Sequence, residues 1–330
     1  MKVRASLGTL AELGVVKSAL LSRPGVAYVM QYSSNGCLAT CHYCTQSRLS
    51  RTPKDFLSRI VWPSVDLKQL LEALRRSSTL RVCLQTVIKP GFVAEAHSVV
   101  RALSALGKRV SLSITPISDG EIRRFHKEGV DYVGVGLDVA TPRLFKALGK
   151  PYSWETYWEF IRDSVGVLGR GRVVVHIIIG LGETVEEALN TIRDVRNVGA
   201  EPSLFAFTPV RGTPLESRRP PNVMYYRFIQ IATELIMEGY EWEDFIVKRD
   251  GKYTLSTKLI NDLLSYDRLR RALMTRGCPG CNRPFYNESP GREPYNFPDD
   301  SVLRMYWEGV VKEIKSLEVS GVQPFEEVGY

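Results

Sequence analysis

The sequence predicts an α/β protein in which six strand–helix units form a partial or complete β/α barrel. Three observations carry this prediction. Apolar runs of strand length alternate with amphipathic helical stretches between residues 26 and 240. The strand-like runs are apolar at nearly every position, which is typical of parallel strands that helices cover on both faces. A loop rich in cysteine follows the first strand, and functional loops of β/α barrels follow the carboxyl ends of strands.

The elements of the barrel follow one another along residues 26–240. The first strand is predicted at residues 26–30, and an amphipathic helix at residues 66–76 begins at a capping aspartate. The five later strands are predicted at residues 80–87, 109–115, 130–139, 172–180 and 204–210. The helices that follow them are predicted at residues 93–106, 119–127, 154–168, 185–198 and 223–239. A glycine stands at or close after the end of each of these helices.

Two extensions flank the barrel. Residues 1–25 are predicted as an N-terminal helical extension, because leucines spaced along residues 5–21 would give a helix an apolar face. Residues 241–330 are predicted as a C-terminal extension that caps the barrel. In it we expect a hairpin about Asp250-Gly251 and an irregular, cysteine-containing segment that separates two helices. These two helices are predicted at residues 259–274 and 299–317.

The composition predicts a cytoplasmic protein without a membrane segment. Of the 330 residues, 44% are hydrophobic, and the longest apolar run, residues 173–179, is too short to span a bilayer. Residues 5–21 lack the uninterrupted apolar core of a secretory signal. The 44 basic residues outnumber the 36 acidic ones but are dispersed, so nucleic acid is not favoured as a partner, and an acidic protein partner explains the charge equally well.

Three cysteines in the loop after the first strand carry the strongest chemical signal. Cys37, Cys41 and Cys44 are separated by three and two residues, a spacing that fits one loop around one inorganic centre. Thiolates are soft ligands, so zinc and iron–sulfur clusters are the candidates. A closed zinc site needs a fourth protein ligand, and His42 lies badly placed between two of the cysteines. Three thiolates on a four-iron cluster leave one iron open to a small molecule.

Two further strand ends carry residues that suit ligand binding. Gly180 and Gly182 end the fifth strand and let the backbone approach a ligand, while Glu183 can cap the next helix or bind a polar group. Asp138 ends the fourth strand, where its carboxylate can accept hydrogen bonds from ribose hydroxyls. An ordinary turn and an ordinary capping aspartate are the alternatives.

The cysteine loop, residues 180–184 and residues 208–215, at these separations, resemble biotin synthase and lipoyl synthase, the sulfur-inserting radical S-adenosylmethionine (SAM) enzymes. The resemblance implies a radical SAM barrel in which Cys37, Cys41 and Cys44 ligate a SAM-cleaving 4Fe-4S cluster. It also implies that Tyr43 lies against the adenine and that Asp138 holds the ribose. The residues assigned to SAM in this way are Tyr43, Gln85, Asp138, Ile178, Gly180 and Glu183. The chain departs from the family at Gln85, Gly136 and His176.

A second cysteine pair, Cys278 and Cys281, lies in the irregular C-terminal segment. The pair supplies half a metal site, and Cys83 in the second strand is the one cysteine left over. Strand alternation can point Cys83 into the barrel, and folding the tail over the barrel mouth would bring the three thiols together above the SAM site. Such a set suits a second four-iron cluster with a non-cysteine fourth ligand. An inert core Cys83, structural zinc and a redox pair are the alternatives.

Within the family, residues 277–284 look like the archaeal two-component lipoyl synthases often labelled biotin synthase-like. Two proteins of that group act in turn on an octanoyl chain of a carrier protein, one adding sulfur at C8 and the other at C6. The resemblance implies a sulfurtransferase with two 4Fe-4S clusters and SAM, in which the second cluster donates sulfur. The implied partners are an octanoylated or mercapto-octanoylated lipoyl-carrier protein, a paralogous second lipoyl synthase component and an electron donor such as ferredoxin.

Three other functions fit parts of the sequence. Another biotin synthase-like radical SAM reaction, such as biotin formation or a carbon-skeleton rearrangement, would use a free small molecule. A non-enzymatic zinc-binding module would use the cysteines for structure alone. Nucleic-acid modification would require a clustered basic and aromatic face, which the sequence does not show.

Overall fold

The computed structural model describes residues 1–256, 265–289 and 291–321. Its first ten strands are β1 (Lys2–Ala5), β2 (Ala27–Gln31), β3 (Phe56–Leu57), β4 (Ile60–Val61), β5 (Ser64–Asp66), β6 (Arg81–Gln85), β7 (Arg109–Ser113), β8 (Val130–Asp138), β9 (Val173–Ile179) and β10 (Glu201–Ala206). Strands β3 and β4 form a small hairpin, and the other eight form one sheet in the order β10-β9-β8-β7-β6-β2-β1-β5.

Six strands of this sheet, β2 and β6 to β10, run parallel to one another. This arrangement confirms the predicted α/β class and the six strand–helix units. Strands β10 and β5 are the two edges of the described sheet, so the barrel is partial rather than complete.

The helices between the strands lie close to their predicted positions. They are α1 (Leu7–Glu12), α2 (Leu67–Arg76), α3 (Phe92–Ser104), α4 (Asp119–Lys127), α5 (Pro142–Ala147), α6 (Trp154–Leu168), α7 (Val185–Val198) and α8 (Val223–Glu238). Helix α7 begins with a capping box in which Thr184 and Glu187 exchange side-chain and backbone hydrogen bonds. Helix α5, which the sequence analysis did not predict, is only six residues long and shows too few turns for a periodic pattern.

The predicted helix over residues 5–21 is wrong for most of its length. Residues 2–5 form β1, which pairs antiparallel with both β2 and β5, and α1 ends at Glu12. The leucines suggested an apolar helical face, yet Leu7 and Leu21 are exposed. Pairing with strands that come later in the chain decided the structure here over local periodicity.

The C-terminal extension contains short elements around its irregular segment. They are α9 (Trp242–Phe245), β11 (Ile246–Arg249), β12 (Lys252–Leu255), α10 (Tyr266–Leu273), α11 (Asp300–Lys315) and β13 (Glu318–Ser320). The predicted hairpin is confirmed as β11 and β12, and β13 adds a third strand to it. The predicted helix over residues 259–274 is observed as α10, while residues 257–264 lie outside the described residues.

The described parts of the irregular segment, residues 276–289 and 291–297, fill the open side of the barrel between β2 and β10. Asn287 donates a hydrogen bond to Ala206 O (2.7 Å), and Arg283 and Asn296 donate to Leu204 O (3.3 and 3.1 Å). These side chains satisfy carbonyl groups on the edge of β10 that have no neighbouring strand. On the opposite side, the Tyr28 hydroxyl of β2 accepts from the backbone N–H groups of Asn282 (3.1 Å) and Arg283 (2.7 Å). The segment therefore joins the two ends of the parallel sheet.

The described helices include none that is both long and apolar enough to cross a lipid bilayer.

Candidate active site

The loop that carries Cys37, Cys41 and Cys44 is held by hydrogen bonds before any ligand binds. Lys54 Nζ donates to three carbonyl oxygens of the loop, those of residues 45, 47 and 50, at 2.9–3.1 Å. Cys37 Sγ accepts from the backbone N–H groups of Ala39 (3.5 Å) and Ile88 (3.3 Å). N–H groups directed at a sulfur atom stabilise its thiolate form, which is the form that binds metal.

Burial opposes the ionisation of two thiols of this loop, Cys41 and Cys44. Burial, followed by the charges of the neighbouring Cys41 and Cys37, raises the pKa of Cys44 to about 12. Burial also raises the pKa of Cys41, although Lys150 partly opposes this effect. Three thiolates can each bind a separate iron of an iron–sulfur cluster, whereas a closed zinc site needs a fourth protein ligand, so the donor set fits the cluster better than zinc.

Asp138 links the cysteine loop to the carboxyl end of β8. Its carboxylate accepts hydrogen bonds from the Tyr43 hydroxyl (2.6 Å) and from Lys150 Nζ (2.7 Å). Its backbone has φ +68°, and the register between β8 and β9 shifts at this point. The N-terminal cap of the next helix is Thr141, so the alternative of a capping aspartate is wrong. The carboxylate lies in the cavity described below, and its contact with ribose stays a prediction.

Lys150 is a buried cation that the sequence analysis missed. Its side chain is 4% exposed, and Nζ also donates to Gly136 O (2.6 Å). Burial opposes the charged form of both partners, but Asp138 raises the pKa of Lys150 and Lys150 lowers the pKa of Asp138. The pair is charged at neutral pH and fixes the carboxylate beside Tyr43.

We expect Lys150→Met to destabilise the cluster-free protein by about 3–5 kcal/mol at pH 7, because it leaves the Asp138 carboxylate buried without its cation. The lowered pKa of Asp138 stabilises the folded state above its unfolded pKa of about 3.9, and this contribution is lost as pH falls through the folded pKa. The difference in unfolding free energy between variant and wild type should therefore shrink below about pH 4. Urea unfolding of variant and wild type at pH 7 and below about pH 4 measures this difference in unfolding free energy.

The matched control is Lys146→Met, which removes an exposed lysine from the same short segment. It should change the unfolding free energy by less than about 0.5 kcal/mol. An equal loss for Lys150→Met at neutral and acid pH would contradict the assigned ion pair.

A cavity of about 620 Å³ occupies the interior of the barrel. Residues of the parallel strands, of the cysteine loop and of the N-terminal and C-terminal extensions line it. The predicted site residues that line it are Tyr43, Cys44, Cys83, Gln85, Asp138, Ile178, Cys278 and Cys281. Cys44 of the first cysteine set and all three remaining cysteines therefore line the same cavity.

The second set of cysteines comes together from distant parts of the chain. Cys83 pairs in register with Tyr28 of β2, and the Tyr28 hydroxyl lies 3.7 Å from Cys281 Sγ. Burial raises the pKa of Cys83, and the nearby Cys278 and Cys281 raise it further. Burial and Cys281 raise the pKa of Cys278 to about 12. These three half-buried thiols lie near one another, and their binding of a second cluster stays a prediction.

The position expected for the tail pair, over the barrel mouth, is wrong. The segment around it contacts the amino-terminal parts of the strands: Arg276 pairs with Glu201, the first residue of β10, and its carbonyl accepts from Ser203 (2.5 Å). A Cβ at Gly25, before β2, would collide with the carbonyl of Gly280. This close backbone packing needs glycine and inserts the cysteine pair at the end of the barrel opposite the Cys37–Cys44 loop.

Gly180 and Glu183 do not line the cavity. The Glu183 carboxylate is buried and accepts hydrogen bonds from the backbone N–H groups of Gly180 (2.6 Å) and Leu181 (2.9 Å). Burial raises the pKa of Glu183 to about 7. Gly180 has φ +98°, and a Cβ there would lie 2.9 Å from Pro221. Both residues shape the turn from β9 to α7, and their contact with SAM stays a prediction.

Two further polar residues of the cavity were not assigned a role from the sequence. His176 faces it from β9, and burial, followed by the charge of Arg283, lowers the pKa of His176 to about 4. The Arg283 guanidinium lies 3.7 Å from the centre of the Phe205 ring. Strand alternation could have placed His176 inside the barrel, but no local pattern places Arg283 there.

Comparison with known proteins identifies the family of the barrel. Residues 32–195 match the family model described as the radical SAM superfamily. Biotin synthase of Bordetella avium is 24% identical over 216 residues, which are 62% of this chain and 64% of the relative. Biotin synthase of Escherichia coli O157:H7 is 23% identical over 226 residues, 65% of this chain and 63% of the relative. The chain thus spans less than two thirds of the length of these relatives.

Among solved structures, methylornithine synthase superposes with a TM-score of 0.52 at 16% identity. The superposition covers 64% of this chain and 62% of that protein. At this identity the likeness shows a common fold alone.

Proposed function

Because residues 32–195 place this chain in the radical SAM superfamily, we propose that it inserts sulfur into an unactivated C–H bond of an octanoyl chain carried by a lipoyl-carrier protein. The family implies a radical SAM enzyme with a 4Fe-4S cluster and SAM, and its curated relatives are biotin synthases. The observation that carries the finer proposal is the single cavity lined by Cys44 and by Cys83, Cys278 and Cys281. Radical formation and sulfur donation would then take place within one cavity.

In this proposal, Cys37, Cys41 and Cys44 hold the first cluster. A four-iron cluster with SAM bound supplies one-electron cleavage of the sulfonium and hence a 5′-deoxyadenosyl radical. Tyr43 and Asp138 line the adjoining part of the cavity, where the hydrogen bond between them fixes both side chains for contact with SAM. Gln85 and Ile178 line the cavity from β6 and β9 and complete the proposed SAM contacts.

In this proposal Cys83, Cys278 and Cys281 would hold a second 4Fe-4S cluster, which would supply the sulfur. The Tyr28 hydroxyl and the Asn282 side chain anchor this cysteine pair to the start of β2. The substrate chain would lie between the two cysteine sets. Apolar residues such as Trp62, Phe205 and Ile178 line the same cavity and would exclude water from the reacting carbon.

The partners follow from this substrate. The enzyme would act on an octanoylated or mercapto-octanoylated lipoyl-carrier protein, together with a paralogous second component that adds the other sulfur. An electron donor such as ferredoxin would reduce the first cluster. The net charge of +8 suits acidic proteins of both kinds.

Mass spectrometry of the carrier after anaerobic turnover tests the proposal. With SAM and a reductant, we expect either the octanoylated or the mercapto-octanoylated carrier to gain the mass of one sulfur atom, as a C–H bond is converted into C–SH. Omission of SAM should abolish the change.

A biotin-forming reaction is the second candidate, because the curated relatives are biotin synthases. The alternative result is sulfur insertion into the biotin precursor that lacks sulfur, supplied as a free small molecule, with the octanoylated and mercapto-octanoylated carriers unchanged. This result would overturn the lipoyl proposal in favour of biotin formation.

A further inference from the structure

A basic and apolar surface surrounds the cysteine loop on the outside of the barrel. It consists of Leu38, Arg48, Leu49, Arg51 and Arg211, which we call the loop patch. Leu38 is 54% and Leu49 46% exposed, and the three arginines are also exposed. We propose that the loop patch docks a small acidic one-electron carrier protein that reduces the cluster of the Cys37–Cys44 loop.

The five side chains belong to backbone segments that are hydrogen-bonded to one another. Arg48 N donates to Ala39 O (3.0 Å), which joins the end of the cysteine loop to its start. Arg51 N donates to Gly212 O (2.7 Å), and Thr52 Oγ1 donates to Arg211 O (2.7 Å). The five residues of the loop patch therefore lie on adjoining backbone segments.

Gly212 makes the last of these junctions possible. It has φ +91°, and a Cβ there would lie 2.7 Å from Thr52 N. The close approach holds Arg211 beside Arg51, although the two are far apart in sequence.

The charge of the loop patch is not neutralised within the described part of the chain. Most buried or half-buried arginines form ion pairs, such as Arg227 with Glu293 and Arg196 with Glu241. Among the described residues, no carboxylate forms an ion pair with Arg48, Arg51 or Arg211. Three unpaired guanidinium groups beside two exposed leucines offer an acidic protein both charge complementarity and apolar contact.

The position of the loop patch favours an electron carrier over the substrate carrier. Its five residues are absent from the described lining of the cavity, which an acyl chain must enter. Leu38 is next to Cys37 in the chain. The backbone N–H of Arg48 donates a hydrogen bond to Ala39, which lies between Cys37 and Cys41. A protein bound to the loop patch would therefore lie close to the thiolates. Electron transfer needs this short separation. One electron passes from the reduced carrier to the cluster, and the carrier is oxidised by one electron.

This inference rests on the proposed cluster, and its test separates docking from chemistry. The probe is a small acidic ferredoxin, and the variant is Arg48→Glu/Arg51→Glu/Arg211→Glu. We expect ferredoxin to bind this variant at least about tenfold more weakly at low salt, and ferredoxin-driven 5′-deoxyadenosine formation to fall by a similar factor. With dithionite as reductant, the variant should form 5′-deoxyadenosine as the wild type does. Added salt should weaken binding to the wild type more than binding to the variant.

The matched control is Arg75→Glu/Arg76→Glu/Arg162→Glu, which reverses three exposed charges on α2 and α6. It should bind ferredoxin and accept its electrons like the wild type. Unchanged ferredoxin binding in the loop-patch variant would overturn the docking proposal. Loss of binding to the lipoyl-carrier protein, with ferredoxin binding intact, would overturn it as well. Absence of 5′-deoxyadenosine in the wild type with dithionite would instead overturn the proposed chemistry, while direct ferredoxin binding still tests the surface.

Discussion

Cys278→Ala should separate radical formation from sulfur transfer. The variant is expected to release 5′-deoxyadenosine in the presence of SAM and dithionite, but to yield no thiolated carrier. Cys278 lies at the amino-terminal end of the barrel, away from the Cys37–Cys44 loop, so the first cluster should assemble without it. If both sets hold four-iron clusters, the anaerobically reconstituted variant should lose about half of the iron. Iron analysis and mass spectrometry of the carrier measure the two effects.

Cys83→Ala should have the same effect, although Cys83 lies in β6 and the tail pair follows α10. The expectation rests on the register between Cys83 and Tyr28 and on the contact of the Tyr28 hydroxyl with Cys281. Ser113→Ala is the matched control, because Ser113 also faces the cavity from a strand but carries no thiol. It should keep its full iron content.

Full iron and full sulfur insertion in Cys83→Ala would show that Cys83 is a core residue. The tail pair would then need another partner, and a structural or redox role for it would be the better interpretation. Both variants should fold, because the parallel strands and their helices do not depend on either thiol.

The parts of the fold that local sequence determines were predicted well. Helices α6 and α7 begin and end where capping residues and a following glycine stand, and near-continuous apolar runs marked the parallel strands. Strand β1 was missed because its partners β2 and β5 follow it at a distance, and no local pattern encodes that pairing. The open side of the barrel was not predictable either, since the tail that fills it bonds through single side chains such as Asn287.

In the candidate site, too, local features were predicted from the sequence and tertiary contacts were not. The spacing of Cys37, Cys41 and Cys44 is local and was visible in the sequence, whereas the approach of Cys83 to the tail pair depends on tertiary structure. Lys150 was missed because nothing in the sequence links it to Asp138. The mouth position expected for the tail was wrong because the sequence does not show the packing of Gly280 on the residues before β2.

Formation of 5′-deoxyadenosine by Cys41→Ala tests the central claim most directly. Cys41 is one of three thiols in the loop, and a site reduced to two thiolates should not hold the SAM-cleaving cluster. With SAM and dithionite, we expect no 5′-deoxyadenosine above background, while iron at the second cysteine set remains. The matched control His42→Ala removes the neighbouring side chain but keeps the backbone bond from residue 42 to Leu148 O, and it should retain activity. Continued 5′-deoxyadenosine formation by Cys41→Ala would contradict the assignment of this loop to SAM cleavage.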